Sequence, residues 1–238
     1  MIRFIIIVLI VLLYLILGIP VLLIEWVIGK INRRARDYSS LRLVQAAFKL
    51  IMFATGVKLT VIGEENVPKD RAVLYVGNHR SYFDVVMTYA RCPRLTGYIA
   101  KIEMLRYPLL RDWMKALYCL FLDRDDIRAG LKTILQGIEY IKNGISICIF
   151  PEGTRYKGEE GGAGEFKAGA FRIAVKTGAP VVPVAITGAR ALFENNGNLC
   201  HPGSVHIKVL PPIRTAGMSK AEQKQLPDAV RQAILAQL

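Results

Sequence analysis

The chain opens on an unbroken apolar run. Phe4 to Ile24, FIIIVLIVLLYLILGIPVLLI, carries no charge over 21 residues, and about 20 suffice to cross the hydrocarbon core as a helix. The run is longer than the apolar core of a secretory signal and no A-x-A-like cleavage site follows it, so it reads as an uncleaved anchor. Gly18 and Pro20 stand where they can kink or break it, which leaves a spanning helix and a monotopic hairpin both open. A second stretch, LRLVQAAFKLIMFATG over 41–56, carries Arg42 and Lys49 and is too short and too charged to span. It reads as an amphipathic helix, packed on the first or lying at the interface, with Gly56 as its stop. Residues 1–56 are therefore expected to form an N-terminal two-helix membrane element ahead of a separate domain over 57–238.

Beyond residue 57 the pattern alternates. KLTVIGE has period two, while RAVLYVGN, TGYIA, YCLFLD, ISICIF, VVPVAITG and SVHIKVL read as strands, several of the fully buried type. Between them YFDVVMTYAR, EMLRYPLLRDWMKAL (interrupted by Pro108) and KAGAFRIAVKTG read as helices. RAGLKTILQGIEYIKNG sets Leu131, Ile134, Leu135, Ile138 and Ile141 at helical spacing, and SKAEQKQLPDAVRQAILAQL supplies a last helix with Pro227 as a potential break. This order predicts an α/β fold with a mostly parallel central sheet flanked by helices. KGEEGGAGEF, residues 157–166, reads as a flexible, mobile loop.

Charge narrows the partners. Lys and Arg number 32 against 19 Asp and Glu, a formal net charge of +13, which draws polyanions such as nucleic acid, anionic lipid or phosphorylated substrates. With no zinc-finger spacing, RNP-like aromatics or helix-turn-helix pattern, nucleic acid ranks below an anionic membrane surface. Lys30, Arg33, Arg34 and Arg36 follow the apolar run, against Arg3 and the terminal amine before it. The positive-inside rule then puts the rest of the chain on the cytoplasmic side of the cell inner membrane. The four cysteines, Cys92, Cys119, Cys148 and Cys200, form no CxxC pair and read as reduced, buried thiols. Cys200, His201 and His206 lack a fourth ligand, so no metal is expected.

Polar clusters fall at strand exits, where α/β proteins place ligands. In NHRSYFD, His79 stands five residues before Asp84. Within one helix such residues lie about 140° apart around the axis, so they meet only if His79 sits in the loop and the helix starts near Ser81. Asp84 then either orients the imidazole as a general base or closes a capping box with Ser81; the stretch leaves both readings open. In FPEGTR, Gly153 admits close backbone approach, Thr154 offers a hydroxyl and Arg155 a bidentate fork for phosphate. FLDRDD presents Arg124, EFKAGAF presents Lys167, and Lys101 ends TGYIA. Each of these cations alone reads as well as an ordinary surface charge.

Together and in this order the clusters resemble the 1-acylglycerol-3-phosphate O-acyltransferase family of glycerolipid acyltransferases. Asn78 to Asp84 is similar to its NHxxxxD block, Phe121-Leu122-Asp123-Arg124 to its second block, Phe150 to Arg155 to its EGTR block and Val181-Val182-Pro183-Val184 to its fourth. Phe166 to Phe171 also resembles a family stretch. The resemblance implies transfer of an acyl group from acyl-CoA or acyl carrier protein to the sn-2 hydroxyl of lysophosphatidic acid, giving phosphatidic acid. His79 would be the base and Asp84 its support. Arg124, Arg155 and Lys101 would hold the acceptor's phosphate, and Glu152, Gly153, Thr154 and Lys167 belong to the same substrate-binding set. Backbone N–H groups of the histidine loop or Gly153 would meet the oxyanion. No cofactor or metal is implied. The alternatives are another lysophospholipid or lyso-ornithine lipid as acceptor, or a non-catalytic lipid-binding membrane protein. A phosphate-binding hydrolase ranks last for want of a nucleophile or metal set.

Overall fold

The computed structural model describes residues 1–238, with only the backbone of Ile127. Helix α1, Ile2–Ile31, runs unbroken through Gly18 and Pro20. The N–H missing at Pro20 is tolerated because both flanks are packed: Gly18 lies under the Trp113 indole, where a Cβ would come within 2.7 Å of Nε1, and Val21 and Leu22 join the core. Helix α2, Arg33–Thr55, starts at once, its N-cap Asn32 accepting the Ala35 N–H at 3.0 Å, and ends at Gly56 with φ 77°. It begins eight residues before the expected stretch, because Arg33 to Ser40 is too polar to show a helical apolar stripe. The two helices form an antiparallel hairpin, closed where Arg3 donates to the Ala54 carbonyl at 2.9 Å. Along α1, Phe4, Ile7, Tyr14 and Gly18 face inward while Leu9, Leu13 and Leu17 stand more than half exposed.

Seven strands follow: β1 Val57–Ile62, β2 Leu74–Gly77, β3 Thr96–Lys101, β4 Leu120–Leu122, β5 Ser146–Ile149, β6 Val181–Thr187 and β7 Gly203–Val209. They form one sheet in the order β1-β7-β6-β2-β5-β3-β4. Strands β6, β2, β5, β3 and β4 are mutually parallel; β7 is antiparallel to β6 and carries β1 parallel beside it. Alternate residues feed opposite layers, as period-two geometry requires. Tyr75, Cys148 and Val184 join the core beneath α1, α2, α3 (Tyr82–Tyr89) and α4 (Pro108–Ala116). Leu74, Val76 and Ile147 join the other, beneath α5 (Ile127–Lys142), α6 (Arg172–Thr177) and α7 (Lys220–Leu235). Pro108 stands in the first turn of α4, where its missing N–H costs nothing. Helix α7 continues through Pro227, which is buried in its packed face. The central position of β2, between β5 and β6, brings the loops after these strands side by side.

Candidate active site

The loop leaving β2 is fixed from three directions. Asn78, fully buried, pairs with Ile186 of β6: its amide donates to the carbonyl at 2.9 Å and accepts the N–H at 2.8 Å. On the other side, the pairing of Val76 with Ile149 carries the same offset forward to His79 and Glu152. There the His79 N–H donates to Glu152 Oε1 at 2.7 Å, and Glu152 Oε2 accepts the Gly164 N–H at 3.0 Å. Burial pushes the Glu152 carboxyl above its ordinary value, and the two N–H groups pull the other way. From the front, Asp84 Oδ2 accepts the Arg80 N–H at 2.7 Å and the Ser81 N–H at 2.8 Å.

That same oxygen lies 2.9 Å from His79 Nδ1. Asp84 thus closes the capping box of α3 and orients the imidazole, so the two readings of NHRSYFD coexist in one carboxylate. A carboxylate only accepts, so in the neutral ring Nδ1 carries the proton and Nε2 has the lone pair. The ring stacks on Phe150 at 4.4 Å and 19°. Gly77 makes room for that phenyl, since a Cβ there would meet it at 2.9 Å.

Phe150 separates two cavities and lines both. One, about 330 Å³, opens over Gly153 and presents Arg124 and Lys167. A Cβ on Gly153, whose φ is 76°, would stand 3.4 Å from Lys167 Nζ and 3.6 Å from the Arg124 guanidinium carbon, so both cations converge on this bare backbone. The other, about 260 Å³, is largely apolar and passes Tyr75, Tyr98, Val184 and Ile186 under the sheet. Cys92 and Cys148 line it, their thiols pushed up by burial, Cys92 to about 11. At its mouth Arg91 pairs with Glu64.

The remaining cations lie apart. Lys101 ends β3 and pairs with Glu103 on the surface, outside the Arg124 cavity. Arg155 turns away from Gly153, its Nη1 3.0 Å from Glu194 and its guanidinium 3.8 Å over the Tyr82 ring. Thr154 is exposed. The amides expected at an oxyanion are committed: His79 N–H to Glu152, Arg80 and Ser81 N–H to Asp84, and Gly153 N–H to the Phe150 carbonyl at 3.1 Å. Among the described residues no three His, Cys, Asp or Glu side chains are grouped to hold a metal.

The 157–166 segment, expected to be mobile, is pinned. Buried Arg80 donates to the carbonyls of Gly158, Glu159 and Gly162, and Arg231 of α7 to those of Ala163 and Gly164. Its glycines advertise freedom locally, whereas both anchors come from distant elements. Asn78 and Arg80 stand inside the recognised block, but their partners lie 108 and about 80 residues away; no local signal reveals them.

With this geometry in view, relatives are informative. A family model described as Acyltransferase matches residues 58–187. The 1-acyl-sn-glycerol-3-phosphate acyltransferase of Borreliella burgdorferi is 32% identical over 199 residues, covering 82% of this chain and 78% of that protein. A protein of the same name from Saccharomyces cerevisiae is 29% identical over 185 residues, 77% of this chain and 61% of its own length. The crystal structure of the 1-acyl-sn-glycerophosphate (LPA) acyltransferase PlsC from Thermotoga maritima superposes with a TM-score of 0.83 at 26% identity, over 99% of this chain and 94% of that one.

Proposed function

The chain belongs to the acyltransferase family, and from that premise we propose that it moves a fatty acyl group from a thioester donor, acyl-CoA or acyl carrier protein, to the sn-2 hydroxyl of lysophosphatidic acid. The observation that carries this reading is His79, oriented through Nδ1 by Asp84 at 2.9 Å and stacked on Phe150, the residue that lines both the cationic and the apolar cavity. An alcohol is a weak nucleophile at neutral pH and needs a base within hydrogen-bond reach. Nε2 takes the hydroxyl proton as the oxygen attacks the thioester carbonyl. The carbon–sulfur bond then breaks, and the departing thiolate recovers the proton from the imidazolium. Asp84 stabilises that cation while it exists.

Arg124 and Lys167 suit the acceptor's phosphate, with Gly153 allowing it close to backbone. Arg155 stands outside that cavity, beside the histidine loop, where the next residue's N–H (Tyr156) donates to the His79 carbonyl at 2.7 Å. Glu152 acts as a positioning residue: both its oxygens are committed to backbone N–H groups, one of them that of His79. The apolar cavity suits a hydrocarbon chain. The exposed apolar face of α1, followed by Lys30, Arg33 and Arg34, suits a helix lying in one leaflet. Although α1 is long and apolar enough to cross a bilayer, its contacts from Phe4 with Phe193 to Gly18 with Trp113 keep it along the α/β unit. That packing favours monotopic docking, with the site facing cytoplasmic donors.

The test is direct. Purified protein with radiolabelled acyl-CoA and lysophosphatidic acid in mixed micelles should yield labelled phosphatidic acid, and the Nε2 base should make the yield depend on His79. Labelling of other lyso-lipids with none of phosphatidic acid would reassign the acceptor.

A further inference from the structure

The stretch between β6 and β7 belongs to none of the motifs above, yet it reaches the site. Glu194 sits there in a short 3-10 turn, Glu194–Asn196. Its Oε1 accepts the first N–H of α3, from Tyr82, at 3.0 Å, and Nη1 of Arg155, also at 3.0 Å. Arg155 then donates from Nη2 to the Tyr82 hydroxyl at 3.2 Å, and its guanidinium carbon lies 3.8 Å over the same ring. From behind, Phe193 packs on Tyr82, Phe83 and, across from α1, Phe4.

This arrangement is expensive for the fold. The Glu194 side chain is only 12% exposed, and its Oε2 is buried without a partner among the described residues. A buried acceptor left unpaired opposes folding, and an ion pair to a partly exposed arginine returns little. What the carboxylate does achieve is orientation. A free arginine beside the histidine loop samples many rotamers, whereas this one is held at two nitrogens and one face. Two of its five N–H donors are used and three remain for phosphate oxygens.

We propose that Glu194 is a positioning residue for the reaction: it presets the Arg155 guanidinium for the acceptor's phosphate and touches no reacting atom itself. The inference rests on the acceptor chemistry proposed above. Phe193, wedged between Tyr82 and Phe4, seats the carboxylate from the side of the membrane helix.

The experiment is a double-mutant cycle on the full chain, read as separate KM values for lysophosphatidic acid and acyl-CoA. Glu194→Ala should raise the acceptor KM roughly tenfold, as loss of a preset geometry does, with kcat and the donor KM within about twofold. Glu194→Gln, whose amide oxygen still accepts both hydrogen bonds, should recover most of the loss. In an Arg155→Ala background, Glu194→Ala should add nothing to the acceptor KM. Glu194→Asp, which draws the carboxylate back by one methylene, should repeat the acceptor-selective rise and completes the cycle if the alanine variant does not fold. An unchanged acceptor KM, an effect that adds in full to that of Arg155→Ala, or equal losses in kcat and both KM values would overturn the proposal. Wild-type protein that leaves lysophosphatidic acid unacylated would overturn the proposed function instead.

Discussion

His79 Nδ1 meets the one oxygen of Asp84, Oδ2, that also accepts the Arg80 and Ser81 N–H groups. One atom therefore serves both the helix cap and the imidazole, and substitutions should separate the two roles. His79→Ala should slow phosphatidic acid formation by about 10²–10⁴-fold, the span of general-base catalysis, with an unchanged melting temperature. Asp84→Asn keeps an acceptor for the cap but no charge for the imidazolium, so its rate should fall while its fold holds. Asp84→Ala should lose the rate and, in addition, about 1 kcal/mol of cap stability. Initial rates and urea melts on the three variants decide it; an Asp84→Asn enzyme at full rate would refute the orienting role.

Much of this centre was legible beforehand, for a physical reason. Strand exits advertise themselves through an abrupt change from buried apolar runs to Asn, His, Asp, Glu and Arg, so the NHRSYFD, FLDRDD and FPEGTR loops were visible, as was the alternating α/β order. What stayed hidden was pairing at long range. Nothing near Arg155 signals that Glu194, 39 residues on, holds it on Tyr82; the Lys101–Glu103 pair is local, and there the neighbouring acid was in plain view. Charge type can be read from a sequence; which way a long side chain turns is decided by partners on other elements. The helix starting at Arg33 was missed likewise, because an Asn32 cap in a polar run leaves no apolar periodicity to detect.

Glu152 should matter to catalysis without touching substrate. Glu152→Ala strands the His79 and Gly164 N–H groups, at about 1–3 kcal/mol for each buried donor left unpaired. Stability and kcat should therefore drop together, with the acceptor KM moving less.

The same residue carries a pH signature. Burial raises its folded-state pKa, so the native chain holds that proton more tightly than the unfolded chain does. Its contribution is full below the ordinary glutamate value and is lost as pH rises through the raised one. Glu152→Gln cannot titrate. Urea melts from about pH 4 to 8 should show wild type losing ground against Glu152→Gln across that window, and parallel curves would show that Glu152 titrates normally.

At the cationic cavity, Arg124→Ala or Lys167→Ala should each raise the acceptor KM by about tenfold or more, since a hydrogen bond to a charged group contributes about 1.5–3 kcal/mol. Gly153→Ala attacks the same place from the backbone. Its φ of 76° is in the left-handed region, and its new methyl would stand in contact with Lys167 and Arg124, where the phosphate is to approach. It should cost about 1–2 kcal/mol of stability and weaken acceptor binding as well. Added salt should raise the wild-type acceptor KM more than that of either cation variant, which acyl-transfer assays over an ionic-strength series will read.

The outward face of α1 offers a test of docking independent of chemistry. Leu9, Leu13 and Leu17 are 58%, 57% and 59% exposed and lie one turn apart on the side away from the α/β unit. Full burial of a leucine is worth about 1.5–3 kcal/mol, so three half-exposed ones entering lipid contribute several kcal/mol to membrane affinity. Changing all three to Glu should release the protein from vesicles of phosphatidylglycerol and phosphatidylethanolamine in a sedimentation assay. The inner face, with Phe4, Tyr14 and Gly18, is untouched, so the fold should survive. Turnover of a short-chain, water-soluble acceptor should stay within about twofold, as for surface changes generally. Retention on vesicles by the triple variant would show that α1 is not what meets the lipid.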